Sequence, residues 1–427
     1  MTPLRDYQAR TIDLARAEFR AGKRALCIVL PTGGGKTRIG AEIVKGHIAK
    51  GGRVLWLAHR TELVSQAADR ILAEGLDNVG VVAAGVEPNR CAPVQVASIQ
   101  TLVARHERPE ATLTVFDEAH HYAAAEWGAV ASHYAGAHRI GLTATPERRD
   151  GKPLGDLFDA IIAPVSVSEL TEGGYLVPCE VLAPKKRLSK EIAGDPVDRY
   201  LSIARGRRAI FFAPSVEQAV DIATKLCAAN VPAVCIHADT PRDVRADALA
   251  RFADGDLVAL TNVYVLTEGT DIPPAEVCVL ARGFSHASTY LQCVGRVLRP
   301  SPGKTSALVL DLCGVSRRFG VPADEREYSL KDRAIRVVER EDDESVGPGG
   351  PVVVPNVVDA ELFAVLEIRK TVTKWTRGRR GTRHHALEQL LRTARERGFK
   401  PGWAVHKFKE RFGVLPWEVV ETDPPTP

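Results

Sequence analysis

Short apolar or β-branched runs alternate with longer amphipathic stretches along the first three quarters of the chain. Ala25 to Leu30, Val54 to Ala58, Val94 to Ala97, Leu113 to Phe116 and Ile140 to Leu142 are too short for helices. Such runs predict strands covered on both faces, the pattern of a parallel sheet whose crossovers are the amphipathic stretches. The same grammar restarts with Ala209 to Phe212, Ala233 to Ile236, Leu257 to Thr261, Val277 to Ala281 and Ala307 to Leu310. The fold class this implies is α/β, with two parallel sheets in tandem, each flanked by helices.

Punctuation between the runs sets the expected boundaries. Ala163 to Tyr200 carries Pro164, Gly173, Gly174, Pro178, Pro184 and Pro196 with weak periodicity, which predicts a crossing segment of limited structure. From Glu339, an acidic run and Gly/Pro residues predict a solvated linker. Beyond it, Leu387, Leu390, Leu391 and Ala394 share one helical face, and Phe408 and Phe412 stand four apart, so this part reads as a small helical module. The expected organisation is a first domain over 1–165, a connection over 166–200, a second domain over 201–338, a linker over 339–356 and an accessory module over 357–427.

Charge sharpens this division. The 427 residues carry a net +4, too little to mark the whole chain as a binder of nucleic acid. Between Arg369 and Arg411, however, fourteen Lys/Arg face three Glu, giving this segment +11 and leaving the remainder at −7. Its interleaved Trp375, Arg377, Arg379, Arg380 and Trp403 suit phosphate contacts with base stacking, and predict an auxiliary DNA-binding module. Eight scattered cysteines without a Cys-x-x-Cys pair read as small core residues, so no zinc is expected. The first residues lack a signal-peptide pattern, and the expected compartment is a reducing cytoplasm, bacterial or phage-encoded.

Three local patterns carry chemistry. Leu30-Pro-Thr-Gly-Gly-Gly-Lys-Thr37 follows an apolar strand and precedes an amphipathic stretch. Glycines there let backbone N–H groups and a helix N-terminus face phosphates, with Lys36 reaching outer phosphate oxygens and Thr37 offering a hydroxyl to Mg²⁺. Leu30 stands where the strict phosphate-loop pattern wants glycine. Asp117-Glu-Ala-His120 follows a second strand, where Asp117 can hold the Mg²⁺ shell and Glu118 can polarise an attacking water. In the other half, Gln292-Cys-Val-Gly-Arg296-Val-Leu-Arg299 places two guanidinium groups on one helix face, suited to a triphosphate held across a cleft.

Together these patterns resemble the superfamily 2 helicases and translocases of the DEAH-type group, which includes XPB-like, RadD-like and type I or III restriction motors. The resemblance runs over about residues 1 to 315 in the family's motif order. It implies two RecA-like P-loop domains. Arg5 and Gln8 look like the adenine-reading Q motif. Pro31, Thr32, Gly33, Gly34, Gly35, Lys36 and Thr37 are similar to motif I, whose Pro-Thr-Gly opening makes Leu30 no departure. His59 and Arg60 resemble motif Ia, and Gln100 with Thr101 motif Ib, both expected along a nucleic-acid backbone. His120 completes motif II, and Thr143 and Thr145 match motif III, expected to link hydrolysis to strand binding. Ser215 falls in motif IV and His237 at a strand end, and both, with Thr261 and Thr267, are expected along the nucleic acid. Thr261 and Thr267 lead into motif V, whose Gly269 and Asp271 are expected near the nucleotide, and Gln292, Arg296 and Arg299 resemble motif VI.

The resemblance implies an ATP- and Mg²⁺-dependent DNA helicase in which hydrolysis between two domains drives movement along nucleic acid. DNA, single-stranded or forked, is the expected partner, with RNA open and a nuclease or a repair or defence protein possible. Two alternatives stand beside it: a duplex translocase that does not separate strands, as motor of a restriction complex, and an ATPase-dead binding scaffold. A metabolite kinase would not explain a second α/β domain with its own paired arginines.

Overall fold

The structure is a computed structural model that describes residues 3–59, 61–87, 89–121, 125–148, 154–184, 192–267, 269–331 and 335–337, with Leu390 and Lys407. The expected linker, nearly all of the basic module (Arg377, Arg379, Arg380 and Trp403 included) and Arg60 lie outside the described residues.

Seven parallel strands form the first sheet: β1 (Ala25–Val29), β2 (Val54–Ala58), β3 (Val79–Val82), β4 (Val94–Ser98), β5 (Leu113–Asp117), β6 (His138–Thr143) and β7 (Ala160–Ile162), in the order β3-β4-β2-β5-β6-β1-β7. Every residue of β1, β2, β4 and β5 is buried, as strands covered on both faces require. The helices here are α1 (Asp6–Arg20), α2 (Lys36–Ile48), α3 (Thr61–Ala73), α4 (Ile99–Ala104) and α5 (Ala125–His133). Register positions the chemistry: Val29 pairs with Thr143 and Asp117 with Leu142. The ends of β5, β6 and β1 therefore lie side by side, at the carboxyl edge where open α/β sheets bind ligands.

The crossing segment is more structured than its weak periodicity suggests. It contains α6 (Val167–Glu172), β8 (Cys179–Leu182) and α7 (Pro196–Ile203), and β8 pairs parallel with β13 as an edge of the second sheet. Four residues flanked by prolines are too few to show a period. Caps fix both helices: Ser166 and Glu169 form a reciprocal box at α6, and the Asp195 carboxylate accepts from Val197 N and Asp198 N at α7. The second sheet adds β9 (Ala209–Phe212), β10 (Ala233–Ile236), β11 (Ala259–Asn262), β12 (Val277–Leu280) and β13 (Ala307–Asp311), ordered β10-β11-β9-β12-β13-β8. Its later helices are α8 (Val216–Ala228), α9 (Arg242–Asp254), α10 (Ala287–Gly295) and α11 (Ser316–Phe319). Among the described residues, no helix is long and apolar enough to cross a membrane.

One apolar cluster runs through both halves, from Leu26, Ile28 and Val64 to Ile210, Leu266 and Val294, so the two sheets share a continuous core. The chain then returns from the second half to the first. After α11 comes the antiparallel pair β14 (Arg326–Tyr328) and β15 (Ile335–Val337). The Arg326 guanidinium donates to the carbonyls of Phe319, Val321, Pro322 and Asp324 at 2.7–3.1 Å, which sets this turn. Tyr328 and Leu330 then pack on the outer cluster of the first sheet that contains Leu154 and Phe158. Of the eight cysteines, all free thiols, four are buried, while Cys91 and Cys227 are exposed, so the small-core reading holds for part of the set.

Helix α2 approaches its sheet closely enough that a β-carbon on Gly40 would meet Trp56 Cη2 at 2.5 Å and Leu142 Cδ1 at 2.8 Å. Helix propensity alone would favour alanine by about 1 kcal/mol. We expect overpacking to win, so that Gly40→Ala lowers stability by about 1–2 kcal/mol. A lower urea midpoint at unchanged denaturant slope is the readout, and an unchanged midpoint contradicts the packing described.

Candidate functional site

The loop between β1 and α2 turns on glycine. Gly33 and Gly35 have φ of +87° and +80°, and Gly35 is the residue from which α2 starts. Both are closely covered: a β-carbon on Gly35 would stand 2.6 Å from Gln8 Nε2, and one on Gly33 would stand 3.0 Å from Leu176 Cδ2 and 3.3 Å from Arg299 Cγ. Gln8 is buried, and its Oε1 accepts from the Arg5 N–H at 3.1 Å where α1 begins. Tyr7, one residue earlier, donates its hydroxyl to Gly34 O at 2.9 Å and accepts from Arg5 Nη1 at 3.1 Å. The first helix is thus tied to the phosphate loop by side chains on both sides of its opening turn.

Across from the loop, Asp117 and Glu118 end β5. Glu118 has φ of +51°, a conformation unusual for a non-glycine residue, and the Asp117 carboxylate accepts from its N–H at 3.1 Å. Lys36 Nζ lies 3.4 Å from Glu118 Oε1, and both side chains are nearly covered. Burial, reinforced by repulsion from Glu118 and opposed by Lys36, pushes the Asp117 carboxyl up to about 7. A carboxylate pair so short of water suits a cation. Asp117 with the Thr37 hydroxyl at the start of α2 offers the hard oxygen donors that Mg²⁺ takes, and Mg²⁺ there would neutralise charge on a triphosphate.

From Glu118 the contacts continue into the second half. His120 is buried with Nδ1 3.4 Å from Glu118 Oε2 and 3.2 Å from Thr143 Oγ1, and its Nε2 lies 3.4 Å from Gln292 Nε2. Because the Thr143 hydroxyl gives its own proton to Thr145 O, it accepts from Nδ1, and Nε2 is left facing the Gln292 amide. Thr143 Oγ1 donates to Thr145 O at 2.6 Å and accepts from Thr145 N at 3.1 Å, which knots motif III beneath His120. A path of polar side chains therefore leads Lys36–Glu118–His120–Gln292 from one sheet to the other.

Helix α10 carries the other wall. Its last residue, Gly295, lies so close to Thr32 that any β-carbon would overlap that side chain. Its first N–H, on Ala287, donates to Glu147 Oε2 at 3.0 Å, so a carboxylate of the first domain caps a helix of the second. Of the two expected finger arginines, Arg299 lies against Gly33 and pairs with Asp271. Arg296 is buried and gives its guanidinium to Thr267 O, at 3.1 and 2.8 Å, and to Thr270 O, so it holds the motif V loop. Gly269, with φ of +74°, faces Leu63 at 3.2 Å from a would-be β-carbon, and its carbonyl accepts from Gln66 Nε2 at 2.6 Å. It docks on α3, whereas Asp271 reaches the phosphate loop through Arg299.

The residues expected along nucleic acid divide. His59 lies against His121 with ring centroids 4.0 Å apart and planes tilted by 41°, and Gln100 is exposed and accepts from Ser98 Oγ at 2.9 Å, with Thr101 beside it on α4. Ser215 caps α8 by accepting from Gln218 N at 3.2 Å, and His237 is half-exposed beside Asp239. Thr261 and Thr267 are corrections, since neither faces solvent. Thr261 is fully buried and donates to Ala219 O at 2.7 Å, and Thr267 is buried against Cys293 and Arg296. Sequence reasoning missed Glu147, Tyr175, Leu176, Gln66 and Leu63, whose roles are contacts between distant segments with no local signature.

Residues 1–148 match the family of the type III restriction enzyme res subunit, and residues 193–301 match the helicase conserved C-terminal domain. The chain is similar to a 51.5 kDa protein of a Lactococcus phage, at 31% identity over 70% of this chain and 68% of that protein. It is similar to the DNA 3′-5′ translocase XPB2 of Sulfurisphaera tokodaii at 26% identity over 69% and 78% of the two chains. It spans 59% of the putative mitochondrial ATP-dependent helicase irc3 of Schizosaccharomyces pombe and 52% of the putative ATP-dependent helicase IRC3 of Saccharomyces cerevisiae. In fold it is similar to a fragment of a putative HsdR subunit of a type I restriction enzyme from Vibrio vulnificus, with a TM-score of 0.61, 24% identity and coverage of 74% and 65%.

The Gly295–Thr32 approach generates a direct expectation. Gly295→Ala forces α10 away from the phosphate loop, and a displacement of that size at a reacting centre costs on the order of 10²-fold in turnover. ATP affinity of the first-domain loop should stay within about threefold, because the loop's own contacts persist. Steady-state hydrolysis with equilibrium ATP binding checks this, and full turnover in the variant contradicts it.

Proposed function

From the premise that the chain belongs to the superfamily 2 helicases and translocases, in the group that joins restriction motors with XPB-like proteins, we propose that it is an ATP-driven DNA motor. The observation that carries this reading is the meeting of both halves on one loop: Arg299 of the second lies against Gly33 of the first, and Gln292 reaches His120 beside Glu118. One triphosphate bound at the loop would lie between Lys36 and Arg299, so its outer phosphate would satisfy charges on both halves. Glu118, 3.4 Å from Lys36, is the base we assign to the attacking water. Loss of the outer phosphate removes the charge that bridges the halves, and their relaxation is the step that moves the track.

DNA is proposed as that track because the archaeal relative is named a DNA translocase. His59, Gln100, Ser215 and His237, at strand or helix ends of the two halves, are proposed backbone contacts. Phosphate contacts position without reading sequence, so affinity should fall steeply with salt. A restriction or defence partner is proposed on the family match of residues 1–148, with a reducing cytoplasm as the setting. The binding-scaffold reading is disfavoured by the convergence of Lys36, Asp117, Glu118 and Arg299 on one loop.

The test is hydrolysis of Mg-ATP alone and with single-stranded DNA, duplex DNA or RNA. We expect DNA to stimulate turnover and Arg299→Ala to reduce it by about 10²-fold or more. Lys36→Ala should abolish it. Displacement of a triplex-forming strand without fork opening would mark a duplex translocase, and fork opening a helicase. Absence of hydrolysis with every polymer would overturn the motor.

A further inference from the structure

The turn after α6 touches three parts of the site at once. Gly174, with φ of +70°, turns the chain, and the Tyr175 and Leu176 N–H groups both donate to Leu170 O, at 2.8 and 3.1 Å. Leu176 then covers Gly33 of the phosphate loop, and Val177 N donates to Leu298 O at 2.8 Å, beside the finger arginine. Tyr175 faces the third part. The Arg5 guanidinium lies over its ring, 4.4 Å from the centroid, and the Tyr7 ring stands 5.4 Å away at an interplanar angle of 59°.

An exposed arginine on the surface of a protein ordinarily samples many rotamers. Arg5 is exposed yet held from two directions, by the face of Tyr175 and by its hydrogen bond to the Tyr7 hydroxyl, which in turn donates to Gly34 O. The guanidinium is planar and has two faces. Tyr175 covers one of them, and Arg5 is otherwise exposed, beside the Tyr7 hydroxyl that bonds the phosphate loop. A planar, weakly hydrated cation fixed beside a triphosphate cradle is a stacking surface for a nucleobase.

We propose that Tyr175 is a positioning residue of the nucleotide site, holding Arg5 flat as the platform on which the adenine base stacks. The inference rests on the ATP reading above and adds the residue that carries base affinity. Its position in sequence gives it a second consequence. Tyr175 belongs to the connection between the sheets, two residues before the bond to Leu298, so the seating of the base and the placement of the second domain share one short turn.

The test compares equilibrium binding of ATP and of inorganic tripolyphosphate, which lacks the base, by titration calorimetry on the full chain, with thermal midpoints recorded for each variant. Tyr175→Ala should weaken ATP about 3- to 30-fold and leave tripolyphosphate within about twofold, the range expected for losing a cation–π contact. Tyr175→Phe keeps the ring and should restore ATP affinity. In turnover, Tyr175→Ala should raise KM for ATP with kcat little changed. Unchanged ATP binding in Tyr175→Ala overturns the proposal, as does Tyr175→Phe behaving like Tyr175→Ala. Equal loss of tripolyphosphate also overturns it, because that marks distortion of the Gly33 loop through Leu176. Wild-type protein that binds neither ligand sinks the ATP reading itself, an outcome distinct from failure of the platform.

Discussion

Two adjacent carboxylates withdrawn from water at the end of β5 impose the constraint to which much of the site responds. Asp117 and Glu118 are nearly covered, and burial, reinforced by repulsion from Glu118, drives the Asp117 carboxyl towards its neutral form. Breaking a buried pair of opposite charges typically costs about 3–5 kcal/mol, so the Lys36 ammonium opposite Glu118 and the other partners of the two carboxylates are placed by structure. Lys36 comes from the first residue of α2, which can start there because Gly35 takes a left-handed backbone and leaves room for Gln8. His120 comes from the short turn after β5 and is held by Thr143 on one side and Gln292 on the other. The parallel register of β5, β6 and β1 brings these ends to one edge.

The same cluster explains why the two halves form one site. Gln292 completes the hydrogen bonding of His120 only when α10 lies against the phosphate loop, and α10 reaches that position because Gly295 has no side chain to meet Thr32. Glu147 supports the approach from the other end of the helix, by capping Ala287 across the boundary. The apolar core that runs through both sheets supplies area without choosing an orientation, since burial is non-directional. The polar contacts choose it. Arg326 and the Tyr328–Leu330 return add a second crossing, so the connection at α6 is not the sole tie between the halves.

Much of this was legible in the sequence for reasons that are local. The ten apolar runs became strands because a parallel strand covered on both faces favours an unbroken apolar pattern, and only at the start of β6 and along the edge strand β10 is the cover partial. The glycines before Lys36 and the acidic pair at a strand end are short-range arrangements that a sequence displays directly. β3, β7 and β8 escaped for separate reasons: Gly80 interrupts the first, the second holds three residues, and Glu180 breaks the third between Pro178 and Pro184. Thr261 and Thr267 stand beside a motif expected along nucleic acid, but α8 takes the first inward and α10 with Arg296 the second, which spacing does not reveal. Spacing predicts Arg296 and Arg299 on one helix face, but α10 ends at Gly295, and past its end the motif V carbonyls claim the first arginine while the phosphate loop meets the second. Glu147 and Tyr175 act on partners more than a hundred residues away, and nothing near them in the chain announces it.

The central claim is that His120 and Gln292 act as one unit joining the two halves. A double-mutant cycle on DNA-stimulated ATP hydrolysis, with His120→Ala, Gln292→Ala and the pair, tests it most directly. The account predicts that the double variant loses little more turnover than either single one, because breaking the contact once uncouples the halves. Losses that simply multiply would show the two side chains working independently, and would contradict the account.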